Sequence, residues 1–146
     1  MSREMAPPPV SPSVLMVILS PDAKAVLLER PGDSPWWCPP RVDVPAGLSC
    51  DQGARWWTRR WQRRSDVRQG RATCRLGVDS GHLAAGSRIL IYRLVDVLGE
   101  QTLFPAARWV PLAELPPEDV APFELVTYLT GYVEGWIPNG PTTLDR

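Results

Sequence analysis

The stretch Ser13-Val-Leu-Met-Val-Ile-Leu-Ser20 is an unbroken apolar, β-rich run held between two serines. Successive side chains of a strand point to opposite faces, so a strand without polar alternation has to be buried on both. That excludes a sheet with one face open to water and demands a covering layer on each side. Pro-Asp-Ala follows at 21–23, and the apolar run resumes as KAVLLER, residues 24–30. Two such runs about a turn predict a hairpin. The run is too short to span a bilayer and stops at once at Ser20-Pro21-Asp22, which argues against an anchor or signal peptide.

Further along, prolines and Gly32 make RPGDSPWWCPP (30–40) a loop, and RVDV (41–44) a short strand. RATCRLGV (71–78), after Gly70, reads as a strand, and DSGHLAAGS (79–87) as a glycine-bearing loop. RILIYRLVDV (88–97) is the clearest strand, turning at LGEQ into TLF (102–104). ARWVPLAELPPED (107–119) predicts a short strand stopped by Pro111 and a brief helical turn. Pro122 opens a last helix, with Phe123, Val126, Leu129, Val133 and Trp136 on one face. With 146 residues and no repeat or linker, the expectation is one domain over 13–136. It is preceded by a disordered proline-rich leader (1–12) and followed by a tail (137–146) that carries turn residues and no core pattern.

Between these strands lies the segment Ser49-CDQGARWWTRRWQR-Arg64. Ser49 with Gln52 three residues on spells a capping box, and Asp51 suits the first turn of a helix. Cys50, Ala54, Trp57 and Trp61 recur at helical spacing as one apolar stripe, while Arg55, Arg59 and Arg63 form a separate basic ridge. The formal net charge is zero, so no overall charge favours nucleic acid or a membrane surface. Charge is nonetheless uneven, with six arginines against one acid from Arg55 to Arg68 and six acids against one base from Asp96 to Glu124. Cys38, Cys50 and Cys74 make an odd number without a C-x-x-C pair, and they read as reduced thiols of a cytoplasmic protein.

In order and spacing these pieces resemble the Nudix superfamily. AVLLERPGDSPWW is similar to its second strand and the loop ending in tryptophan. VDVPAGLSCDQGA is similar to its turn and helix start, and ARWVPLAEL with APFELVTYL to its late aromatic strand and closing helix. The resemblance implies an α/β/α sandwich around a mixed β-sheet. It also implies glutamates on the helix that hold Mg²⁺ or Mn²⁺ through hard oxygen ligands, so that the metal offsets diphosphate charge and activates water. Here the motif fails. Without a gap, Leu48 stands at the first glutamate, Trp56-Trp57 at the Arg-Glu pair, Arg60-Trp61 at the paired glutamates and Arg63 at the closing glycine. A one-residue shift recovers Arg55 as the motif arginine and puts Arg59 and Arg60 at the paired glutamates. No acid lies between Asp51 and Asp66, and a guanidinium has only donors, so it cannot ligate a cation.

Neither a metal nor a cofactor is therefore expected at this helix. One reading of the residues is a ligand site for a phosphorylated small molecule. Arg55, Arg59, Arg60 and Arg63 take its phosphate oxygens bidentately, and Trp36, Trp37 or Trp109 stack on a ring. Another is a protein-binding module, because exposed tryptophan and arginine are hot-spot residues, with self-association into a homodimer, basic face to acidic face, as one form of it. The plainest reading makes Trp57 and Trp61 core and the arginines a solvated face paired with local acids. Catalysis points instead to His82 with Asp79 or a late acid, Glu114, Glu118 or Asp119. It would belong to a divergent Nudix pyrophosphohydrolase of nucleoside-diphosphate-like substrates with metal ligands from the late acids, or to a biosynthetic enzyme on the same fold that uses His82 or the arginines to steady an anionic intermediate. Cys38 is a further candidate nucleophile, against a buried inert thiol.

Overall fold

The computed structural model describes residues 11–32, 34–95 and 104–146. Most of the expected leader, and the turn and strand expected over 98–103, lie outside the described residues. The strands are β1 (Val14–Leu19), β2 (Ala25–Leu28), β3 (Arg41–Val42), β4 (Val67–Leu76), β5 (Arg88–Leu94), β6 (Arg108–Pro111) and β7 (Gly140–Leu144). The helices are α1 (Cys50–Gln62) and α2 (Leu125–Val133).

All described strands join one mixed sheet in the order β6-β2-β1-β5-β4-β7, with β3 paired to β1. β1 lies antiparallel to β2 and β3 and parallel to β5, while β4 runs antiparallel to β5 and parallel to β7. All six β1 residues are buried. Val14, Met16 and Ile18 pack with Ala54 and Trp61 of α1, and Leu15, Val17 and Leu19 pack with Leu125, Val126 and Leu129 of α2. The α/β sandwich around a mixed sheet is thus the architecture that the apolar run requires.

Ser20 closes the hairpin, its Oγ accepting from Ala25 N at 3.0 Å while Ala23 takes a left-handed φ of 60°. α1 begins where the capping box predicts. Ser49 Oγ accepts from Gln52 N (3.1 Å), and Gln52 Oε1 accepts from Ser49 N (2.8 Å). Gly53 lets the preceding loop lie against the helix, since a Cβ there would stand 2.7 Å from Val44 Cγ1.

Three expectations are corrected. Gly70 does not precede a strand but lies inside β4, which starts at Val67 and carries an irregularity between Gln69 and Thr73. The C-terminal residues read as a tail supply the edge strand β7, with Leu144 buried. Only one side chain of that strand enters the core, so no apolar periodicity marks it. α2 starts at Leu125 and not at Pro122, so Phe123 precedes it; its buried face is Leu125, Val126, Tyr128 and Leu129, whereas Val133 is 41 % exposed and Trp136, beyond the helix end, 78 % exposed. The helix stops at Glu134, and Gly135 at φ 84° turns the chain away before Trp136 can extend the stripe.

Candidate functional site

The C-terminal half of α1 carries its chemistry on the side turned from the sheet. Ala54 and Trp61 are buried, Cys50 and Trp57 are half-buried, and Arg55, Arg59, Arg60 and Arg63 are exposed. Trp61 sits against Tyr92 of β5 (centroids 5.1 Å apart) and stacks on Phe104 (6.2 Å). Trp57 Nε1 donates to Asp43 O at 2.6 Å, which fixes its ring beside the helix. A groove of about 540 Å³ opens here, with Val42, Trp57, Trp61 and Phe104 as its apolar wall and Arg60, Arg63 and Arg64 as its basic side. A second depression, about 230 Å³, lies between Trp56, Arg59, Arg60 and Arg63.

Arg64 is already engaged. Its Nε and Nη2 donate to Asp66 Oδ1 and Oδ2 at 2.9 and 2.6 Å, and its guanidinium lies 5.1 Å from the Trp61 ring centroid. The hydrogen bond from Arg64 holds the Asp66 carboxyl below its ordinary range. Asp51 is likewise lowered, chiefly by the bond from Arg88 Nη1 (2.9 Å), which ties the start of α1 to β5. Among the described residues these are the ion pairs, and no described acid pairs with Arg59, Arg60 or Arg63. The Arg60 guanidinium lies over the Trp56 ring at 5.3 Å. The helix dipole supplies roughly half a negative charge at this end, far less than the charge of the three guanidiniums of Arg59, Arg60 and Arg63.

The structure does not gather all of the expected ligand-binding residues. Arg55 lines neither hollow and sits nearer Asp51. Trp36 and Trp37 belong to the α2 face of the sheet, where Trp36 stacks on His82 (6.1 Å) and Trp37 lies 4.7 Å from the Arg30 guanidinium carbon. They cannot form one pocket with the arginines of α1. Trp109 is on the α1 face but borders neither hollow. Arg64 and Phe104 are the additions. Arg64 was legible as one more base of the same run, but Phe104 comes from a distant segment without a local pattern.

The catalytic candidates are dispersed. Asp79 Oδ1 accepts from Ala85 N at 2.8 Å and closes its own loop. His82 lies between Trp36 and Ser34, whose Oγ is 3.5 Å from Nδ1, while Nε2 is buried without a partner among the described residues. Burial, and secondarily Arg41, lowers its pKa and favours the neutral ring. Glu114 is exposed in the 3₁₀ turn Leu112–Glu114, and Glu118 and Asp119 are in the next, Pro117–Asp119. No hydrogen bond or ion pair among the described residues joins His82 to any of these acids. Burial pushes the Cys38 and Cys74 thiols up to about 12, which removes the thiolate that a nucleophile needs. The divalent cation implied by the Nudix resemblance does not fit the residues of α1. Its one acid, Asp51, is held by Arg88, and the described residues contain no group of three or more His, Cys, Asp or Glu side chains placed to hold a metal.

No family model matches the chain, and no curated protein does. Among solved structures it is similar to a NUDIX hydrolase from Nitrosomonas europaea, with 18 % identity and a TM-score of 0.48 over 94 % of this chain and 81 % of that one. It is also similar to the Mutator MutT protein from Bacillus halodurans, with 12 % identity and a TM-score of 0.48 over 93 % and 91 %. Among the described residues no helix is long and apolar enough to cross a membrane.

Proposed function

We propose that this chain is a Nudix-like domain whose signature helix has exchanged metal-mediated chemistry for direct binding of a phosphorylated small molecule. The observation that carries the reading is the groove in which Arg60 and Arg63 face Trp57, Trp61 and Phe104. Guanidinium forks take phosphate oxygens two at a time without a bridging cation, and the aromatic wall accepts an apolar or ring portion of the same ligand. Hydrolysis is not part of the proposal, because this helix supplies neither a general base nor a metal-activated water. Three cysteines outside any disulfide fit a reducing, cytoplasmic setting.

The test is a thermal-shift series with nucleotides, sugar phosphates and pyrophosphate in the presence of EDTA. At a ligand concentration of about 100 Kd, stabilisation is about 2.7 kcal/mol. For a chain of this size that raises Tm by roughly 5–10 °C. The Arg60→Gln/Arg63→Gln variant should melt about 1–4 °C lower without ligand, because the Arg60–Trp56 contact is lost, and show a clearly smaller increment with it. The proposal fails if no phosphorylated compound stabilises the protein, or if the double variant responds as the wild type does.

A protein partner is the second reading, favoured by Trp56, 38 % exposed amid Arg59, Arg60 and Arg63 in hot-spot composition. Self-association is one form of it. Concentration-dependent sedimentation that Trp56→Ala abolishes would favour a homodimer over the small-ligand reading.

A further inference from the structure

We infer that Arg68 and Arg93 form a second oxyanion pocket, on the α2 face of the sheet, suited to a phosphate group. The two residues are direct partners in the antiparallel β4–β5 ladder. Their chain neighbours Val67, Tyr92 and Leu94 point into the α1-side core, so strand alternation turns both arginines to the α2 side. Like charges directly opposite one another on a sheet destabilise it. Neither arginine takes part in an ion pair among the described residues, and both are exposed. A doubly charged anion between them would turn that repulsion into two charge-assisted contacts.

The pair faces a built cavity of about 490 Å³, bounded also by Tyr132, Ile137 and Asn139. Two glycines shape it. A Cβ at Gly70 would overlap Tyr132 Oη, so its absence lets the phenol lie on β4. Gly135, at φ 84°, reverses the chain after α2 and carries Ile137 and Asn139 to the cavity wall. Two guanidiniums match the charge of a phosphate dianion, whereas a single carboxylate would neutralise only one. The Tyr132 hydroxyl and the Asn139 amide supply further donors. The site lies across the sheet from α1 and stands whether or not the groove there binds phosphate.

Amide-resolved NMR titration of the full chain with inorganic phosphate, at constant ionic strength, tests this directly. Saturable shifts are expected at Arg68, Arg93, Tyr132 and Asn139, and Arg93→Gln should abolish them while leaving any response of the α1 amides unchanged. Without phosphate, Arg93→Gln should melt higher than the wild type, because the repulsion is gone, and phosphate should raise its Tm by less than it raises that of the wild type. A parallel arm with glycerol 2-phosphate separates free phosphate from a phosphorylated ligand by which of the two saturates first. Shifts that stay linear, that persist in Arg93→Gln, or that appear only along α1 would overturn the inference, as would a phosphate-free Arg93→Gln that melts lower.

Discussion

Trp56 and Trp61 stand five residues apart on α1, about 140° around the helix at 3.6 residues per turn, and their truncation should cost very different amounts. Trp61 is 5 % exposed and meets Tyr92, Phe104 and the Arg64 guanidinium. A tryptophan buries roughly 150–250 Å², which at about 25 cal/mol per Å² gives about 4–6 kcal/mol as an upper bound. Measured truncations of this kind fall at roughly 3–5 kcal/mol. Trp61→Ala should therefore lower Tm by roughly 6–20 °C at about 2–4 °C per kcal/mol.

Trp56 contributes an edge contact with Trp57 and a cation–π contact with Arg60. These are worth about 0.5–1.5 and 0.5–1 kcal/mol respectively, and alanine returns roughly 0.5 kcal/mol of helix propensity. The net of these contact terms is about 0.5–2 kcal/mol, and because Trp56 also buries less area than Trp61, Trp56→Ala should cost less than Trp61→Ala. Urea unfolding followed by far-UV circular dichroism measures both variants without relying on tryptophan emission. Equal costs, or a larger cost for Trp56, would mean that α1 is rotated on the sheet. The basic face that both functional readings depend on would then be misplaced.

Ser49→Ala removes half of the capping box and should cost about 1 kcal/mol in the same assay, while Ser49→Asp should recover most of it; an unchanged alanine variant would show that α1 does not rely on this cap. His82 gives a pH-dependent expectation. Its folded pKa lies below the ordinary 6.5, through burial and then Arg41, so protons bind the unfolded chain first. Its contribution is complete above pH 6.5, and stability falls as pH drops from there through the folded value. Thermal melts at stepped pH should show that loss reduced in His82→Phe, which keeps a ring against Trp36; an identical pH profile would remove His82 as its source.

Both helices and the central strands are legible in the sequence, because each is written locally. The capping box marks where α1 begins, and the unbroken β1 run requires two covered faces. Boundaries failed where local patterns carry little information. Gly70 looks like a break in sequence, yet in space it is where Tyr132 needs room, so β4 runs through it. β7 is held by backbone pairing to β4 and by Leu144, and neither leaves a hydrophobic period.

The sequence by itself determined the kind of layered fold and the lack on α1 of the glutamates that the resemblance implies. Apolar periodicity and side-chain chemistry are local properties that no packing can reverse, and an arginine cannot become a ligand for a cation. Tertiary structure alone decided which arginines lie together and beside which aromatics. It separated Trp36 and Trp37 from α1 by the thickness of the sheet, brought Phe104 to the groove, and set Arg68 opposite Arg93. Those juxtapositions come from strand order and register, which join residues distant along the chain and leave no mark in either segment alone.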